Sequence, residues 1–303
     1  MKYLSQTLML FVSFFALNSF VVADDDNQIW NEINQVFTKE CKKELQSKEC
    51  KTARETFLDL YEESCDKGNQ QHCYTLGSLY WGVNQYIPKD YEESQYVFEK
   101  SCNKGYAKSC TALGSMYMKG WGVKVDKNTA LKYSEKGCNG GDMTGCNNVG
   151  FLYKSEKNYA KAKKIYEKSC NDKKGNVIAC NNLAILYIEG LGVKTDYNKG
   201  RSLLEYGCNG NYPKACDNLG QLYLNGVGVK QNTQHAVELF EKGCSPKSEN
   251  EFFDENFISE TESCINAGLV HLEVLHNKER AKPFFQKACD LGNQSGCKML
   301  KKM

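Results

Sequence analysis

The stretch Cys110-Thr111-Ala112-Leu113-Gly114-Ser115-Met116-Tyr117 decides the fold, because its frame returns from Cys146, Cys180 and Cys216. Three positions after the cysteine stand Leu113, Val149, Leu183 and Leu219. Four after it stand Gly114, Gly150, Ala184 and Gly220, and seven after it Tyr117, Tyr153, Tyr187 and Tyr223. Offsets of 0, 3, 4 and 7 lie along one face of a helix, so this face is predicted to be core. The small residue at the fourth offset is expected to let a neighbouring backbone come close. This helix is termed A.

A glycine turn follows in three copies, Gly120-Trp121-Gly122-Val123, Gly190-Leu191-Gly192-Val193 and Gly226-Val227-Gly228-Val229. Glycine there supplies the left-handed residue that ends a helix. A polar start and a second amphipathic run come next, as in Asn128-Thr129-Ala130-Leu131 through to Cys138. Ala162, Ile165 and Tyr166 repeat it, as do Ala236, Leu239 and Phe240. This run, helix B, closes at a cysteine. The frame departs from regularity where Lys154-Ser155-Glu156-Lys157 replaces the glycine turn, and where Trp81-Gly82-Val83 leads to Ile87-Pro88.

Sixteen cysteines fall into eight close pairs. Five share a spacing of eight: Cys65/Cys73, Cys102/Cys110, Cys138/Cys146, Cys208/Cys216 and Cys289/Cys297. Cys41/Cys50, Cys170/Cys180 and Cys244/Cys264 vary it. From Cys65 to Cys289 the first cysteines recur after 37, 36, 32, 38, 36 and 45 residues, the period of a solenoid of about seven repeats. In one unbroken helix, residues eight apart would lie about 12 Å from each other along the axis. A disulfide needs Cα atoms about 5.5–6 Å apart, so the chain must reverse within each pair and a bridge would join helix B to the next helix A. Counting alone leaves other connectivities open; local pairing is favoured because adjacent cysteines meet first and the spacing repeats. Each small loop closed in this way contributes about 2–3 kcal/mol in the chain-entropy model.

The amino terminus reads as an export signal. Lys2 opens a basic segment, Leu8–Leu17 is mostly apolar, and small residues precede Asp24-Asp25-Asp26, so residues 1–23 are expected to be removed by cleavage after Ala23. Residues 24–303 then form the solenoid, exported to the periplasm or secreted, where thiols oxidise. No second apolar stretch approaches spanning length, so the mature chain is expected to have no membrane span. The net charge of +2 comes from interleaved lysines and acids, with no basic stripe for phosphates, which argues against nucleic acid. A mean hydropathy of −0.58 with 41% hydrophobic residues suits thin stacked helices with much exposed surface.

The Leu-Gly-x-Leu-Tyr segment, the Gly-x-Gly-Val turn and the Ala-x-x-Tyr-x-Lys-x-Cys close resemble Sel-one-like repeats, relatives of tetratricopeptide repeats. With a cysteine pair in each unit and an export signal, the chain resembles the Helicobacter cysteine-rich protein family from Asn27 to Met303. The resemblance implies an all-α, right-handed α/α solenoid cross-linked by disulfides between adjacent helices. It also implies penicillin binding and a weak β-lactamase activity, the hydrolase alternative to a binding scaffold.

The sequence offers little for such a hydrolase. Serine enzymes of that kind combine Ser-x-x-Lys with Ser-Asp-Asn and Lys-Thr-Gly. Ser64–Lys67, Ser101–Lys104 and Ser295–Lys298 match the first element, but the first two arise from the repeat frame itself. Neither partner motif occurs, and Lys194-Thr195-Asp196 is a near miss. With four histidines and no Cys-x-x-Cys, neither metal nor cofactor is expected. His72, His235, His271 and His276 each sit in a structural frame, His271 in place of the repeat tyrosine.

The candidate ligand row lies two positions after the second cysteine, where Asn148, Asn182, Asn218 and Asn266 recur, with Thr75 and Ala112 in earlier units. The second and fifth offsets share a helix face distinct from the core, which could line the inner surface of the superhelix. A ladder of amides can hold an extended peptide; equally, the amides can join neighbouring helices. A peptide, a cell-wall fragment or another protein is the expected partner, with β-lactams in the hydrolase alternative. An acidic insertion, 245–263, carries Phe252, Phe253, Phe257 and Ile258 and is expected to be a solvated loop on one face.

Overall fold

The computed structural model describes residues 35, 37–42, 44–170, 176–245 and 255–303. The export segment 1–23 and the centre of the acidic insertion, 246–254, lie outside the described residues; from Glu255 the insertion is helical. The elements are α1 (Lys48–Asp66), α2 (Gln70–Ser78), α3 (Tyr91–Asn103), α4 (Ala107–Lys119), α5 (Lys127–Asn139), α6 (Met143–Ser155) and α7 (Tyr159–Cys170). They continue as α8 (Val177–Glu189), α9 (Tyr197–Asn209), α10 (Pro213–Asn225), α11 (Thr233–Gly243), α12 (Glu255–Leu269), α13 (Lys278–Asp290) and α14 (Gln294–Lys302). Even-numbered helices are A and odd-numbered helices are B. The chain is the expected all-α, right-handed solenoid of helix-turn-helix repeats cross-linked by disulfides.

Each B helix begins at a residue chosen for its side-chain oxygen. Asp90, Asp126, Asp196, Asn232 and Asn277 accept hydrogen bonds from exposed N–H groups of the first turn. Such a cap contributes about 1 kcal/mol. The same cap residue turns its own N–H back to helix A. Asp126 donates to the carbonyl of Tyr117 at 3.0 Å, Asp196 to that of Tyr187 at 2.9 Å and Asn232 to that of Tyr223 at 2.8 Å.

The two glycines of the turn serve different ends. Gly120, Gly190 and Gly226 hold φ of 77°, 68° and 68° and end helix A, as expected. The second glycine faces the previous unit: a Cβ on Gly122, Gly192 or Gly228 would lie 2.3, 2.6 or 2.2 Å from the Cβ of Tyr91, Tyr159 or Tyr197. Those tyrosines open helix B one unit earlier, so each glycine turn seats on its neighbour. The α6–α7 turn lacks this glycine and follows a unit whose helix B opens with Lys127 instead. Helices α2 and α12 end instead in π turns, Leu79–Val83 and Val270–Val274.

In most copies the small residue at the fourth offset makes room for a ring rather than for backbone. A Cβ on Gly77, Gly150, Gly220 or Gly268 would lie 2.6, 2.3, 2.7 or 2.7 Å from a ring atom of Phe98, Tyr166, Phe240 or Phe285. The gap in helix A thus receives an aromatic ring of its own helix B, four residues before the cysteine. The expected close approach of backbone is seen at Gly114, whose Cβ position lies 3.0 Å from Ser134 N, and at Ala184, whose carbonyl oxygen lies 3.2 Å from the Cβ position of Gly200. Ala184 faces the smaller, fully buried Leu204. Filling such holes with rings removes apolar surface from water at roughly 25 cal/mol per Å², the main source of stability here.

All eight bridges join the expected partners: Cys41–Cys50, Cys65–Cys73, Cys102–Cys110, Cys138–Cys146, Cys170–Cys180, Cys208–Cys216, Cys244–Cys264 and Cys289–Cys297. Their Cα separations run from 4.4 to 4.8 Å, the reversed-chain geometry that the spacing required. Seven of them link helix B of one unit to helix A of the next. Cys41–Cys50 ties the helical segment 37–42 to α1.

Candidate binding surface

Successive A helices touch each other, at α4–α6, α8–α10 and α10–α12, whereas among the described residues no comparable contact joins successive B helices. The A helices therefore form the inner, tighter arc and the B helices the outer one. The second and fifth offsets project from this inner arc, since the core offsets of A are taken up by B.

Along the arc runs a ladder of side-chain amides. Asn182 Nδ2 donates to Asn147 Oδ1 at 2.7 Å, Asn218 Nδ2 to Asn181 Oδ1 at 2.8 Å and Asn266 Nδ2 to Asp217 Oδ1 at 2.5 Å. Asn148 Nδ2 donates to Ser115 Oγ at 3.0 Å. All four candidate asparagines thus give an N–H to the preceding unit, so the row joins A helices. Asn148 is buried, while Asn182, Asn218 and Asn266 are half-buried. Each of these bonds takes one N–H of the amide; a ligand meets the second N–H, the amide oxygen and the residues beside them, the oxygen of Asn182 also accepting from Asn181 Nδ2 at 3.4 Å.

The acceptors at the first offset, Asn147, Asn181 and Asp217, were not singled out from sequence. Asp217 stands where its neighbours have an amide, and burial pushes its carboxyl above the usual range against the bond from Asn266 and the nearby Lys214. Lys214 lies 3.8 Å from Asp217 and 2.5 Å from Glu262.

A second set of latches was equally unforeseen. The repeat tyrosine reaches the preceding B helix: Tyr153 Oη donates to Glu135 at 3.1 Å and Tyr187 Oη to Glu167 at 3.2 Å. Tyr117 Oη accepts from Gln95 at 3.2 Å. His271, in the tyrosine's place, meets Glu241 at 2.8 Å and stacks on Phe284. The tyrosine column is therefore both core and joint.

Beside the amides, the fifth offset carries side chains with no place in the core. Phe151 is 47% exposed. Ile185 and Leu269 are half-buried and join none of the buried clusters. Together with Asn182 and Asn218 they make a mixed apolar and amide strip on the inner arc. A separate groove of about 730 Å³ opens at the turn edge beside Tyr197, lined by Tyr187, Val193, Lys194 and Lys163. Lys163 there is paired with Glu167 at 3.1 Å.

In the first two Ser-x-x-Lys matches the serine is engaged by a group other than its lysine. Ser64 Oγ lies 2.6 Å from His72 Nδ1, while Lys67 bonds Glu63 at 2.6 Å. Ser101 is fully buried and directs its hydroxyl to the carbonyl of Gln70. Among the described residues no group of three or more His, Cys, Asp or Glu is placed to hold a metal ion. All sixteen cysteines are bridged.

The Sel1 repeat profile matches residues 73–106, 107–142, 145–173, 177–212, 213–245 and 263–293, together more than half of the chain. The chain belongs to the Sel1 repeat family. Sel1 repeat proteins are typically protein-interaction scaffolds. Among solved structures, the Sel1 repeat protein from Oxalobacter formigenes superposes with a TM-score of 0.61 at 18% identity, over 88% of this chain and 97% of that one. The protective antigen c5321 of uropathogenic Escherichia coli, described as displaying an SLR fold, gives 0.54 at 21% identity over 91% of this chain. This Sel1 chain spans only 57% of the antigen's length. The immunity protein Pa5087 from Pseudomonas aeruginosa gives 0.54 at 16% identity, over 74% of this chain and 82% of that one. These likenesses show the fold. The density of bridges points to an oxidising compartment, and no described helix is long and apolar enough to cross a membrane.

Proposed function

We propose that this Sel1 repeat protein is exported, loses residues 1–23 by cleavage after Ala23, and works as a rigid scaffold that binds a polypeptide along the inner arc of A helices. The observation that carries the reading is the strip of Phe151, Ile185 and half-buried asparagines on an arc locked from both sides. Disulfides clamp each B helix to the next A, and amides clamp A to A. Such a surface loses little freedom on binding, so a modest set of contacts yields affinity. The cysteine pair carried by each Sel1 unit supports placing the chain with the Helicobacter cysteine-rich proteins, and supports the periplasm or the exterior as its destination. A peptide or protein fits the arc better than a cell-wall fragment, because an amide-and-apolar strip suits a main chain with side-chain anchors.

A photo-crosslinking residue placed at Phe151 or Ile185 in producing cells tests this. Controls go at Tyr96 and Tyr206, exposed on the outer B helices. The expected result is a crosslinked polypeptide from the inner positions only, on a chain whose mass begins at Asp24. Equal labelling from both faces would sink the proposal, as would steady turnover of a chromogenic cephalosporin by the purified oxidised protein.

A further inference from the structure

The charges along the inner arc are ordered, and we infer that they select a peptide with an apolar anchor flanked by acidic residues on one side and basic residues on the other. This rests on the scaffold reading and names the partner's chemistry. The residues that share the strip's face lie two before the second cysteine and two, five and nine after it. In α4 this face presents Lys108 and Lys119, both exposed. In α6 and α8 it presents the apolar centre, Phe151 and Ile185. From the far end of α8 onward the face turns acidic, with exposed Glu189 closing α8 itself and Glu273 in the π turn after α12. Lys214 and Glu262 also lie on this face, but they neutralise each other at 2.5 Å. From α4 to α12 the strip therefore runs from two cations through an apolar centre to two carboxylates, and exposed Lys302 stands past that end at the fifth offset of α14. Neighbouring helix axes lie about 8–10 Å apart, so the three zones span a distance an extended peptide of modest length covers at roughly 3.3 Å per residue.

An acidic stretch seats against Lys108 and Lys119, a bulky apolar side chain covers Phe151 and Ile185, and a basic stretch meets Glu189 and Glu273. The apolar contact supplies most of the affinity, because a desolvated anchor is where binding energy concentrates. The charges set register and direction, since exposed pairs discriminate among partners more than they tighten binding. The amides of Asn182 and Asn218 lie beside the anchor, where a peptide main chain would pass, with the oxygen of Asn182 shared with Asn181 Nδ2 at 3.4 Å.

The test is selection of a random-peptide phage library on the oxidised protein, followed by affinity measurement of the enriched peptides on variants. Enriched peptides are expected to share the acidic–apolar–basic order. They should lose at least tenfold in affinity on F151D/I185D, and K108E/K119E should disfavour their acidic end at low salt. All four side chains lie outside the buried core, and matching helical circular dichroism checks that the variants fold. Enriched peptides without charge order, or indifferent to both double variants, would overturn the inference. A selection that enriches nothing overturns it too, and if the Phe151 crosslink still captures a polypeptide, the scaffold reading survives alone.

Discussion

Removing the central staple, Cys138–Cys146, is the sharpest perturbation of this architecture. Both cysteines must go together as C138A/C146A, since a lone thiol would attack neighbouring bridges. The bridge closes a loop of eight residues. In the chain-entropy model a loop of that size is worth about 2.5 kcal/mol. The longer loop of Cys244–Cys264, twenty residues, should be worth about 0.8 kcal/mol more by the same expression. Stability in a solenoid is a sum of unit and nearest-neighbour terms, so the damage should stay local. Denaturant titration should therefore show the two double variants losing about 2.5 and 3.3 kcal/mol. Hydrogen exchange of C138A/C146A should quicken in α5 and α6 while α10 and α11 keep their protection. A loss under about 0.5 kcal/mol in either variant, or uniform loosening of all units, would refute the view that each bridge acts as a local clamp.

Replacing Asp217 by Asn should restore the amide ladder and raise stability at neutral pH. The carboxyl's folded-state pKa is raised above its unfolded value, chiefly by desolvation, so its contribution is fully present below about pH 3.8 and is lost as pH climbs through the folded value. Melting temperatures across that window should fall in the native protein and change less in D217N; parallel curves would exclude the mechanism. Gly226→Ala meets nothing closer than 3.4 Å and should cost about 1–2 kcal/mol for its left-handed backbone. Gly228→Ala adds a contact at 2.2 Å to the Cβ of Tyr197 and should cost distinctly more, which chemical denaturation would resolve. Tyr187→Phe deletes the hydroxyl that meets Glu167 and Lys199 and should cost about 0.5–1.5 kcal/mol, with no loss of far-ultraviolet helicity.

Much of the fold was legible because it is local and repeated. The cysteine spacing forced a chain reversal, and the offsets of Leu113 and Tyr117 fixed a helix face. The first glycine of each turn reported a left-handed cap. The joints between units were harder, because they pair different columns in different copies. Asn182 bonds Asn147, so its column must be read against the preceding column shifted by one unit. Held that way, Asn147, Asn181 and Asp217 already stand opposite Asn182, Asn218 and Asn266 in the sequence. The ring-in-hole packing was hidden likewise: Gly150 and Tyr166, or Ala184 and Leu204, vary in size together across one hairpin.

What separates binding from folding is where the repeat stops repeating. The third, fourth and seventh offsets hold one chemical type through most copies, because a helix partner dictates them. The fifth offset reads Ser78, Ser115, Phe151, Ile185, Gln221, Leu269 and Lys302, with no common size or polarity. Ser78 is buried and Ser115 accepts from Asn148, so the two serines still serve the fold; the irregularity from Phe151 onward marks where packing leaves the column free. That column faces the inner arc between clamped amides, so the variation is what a rigid scaffold needs to tell one partner from another.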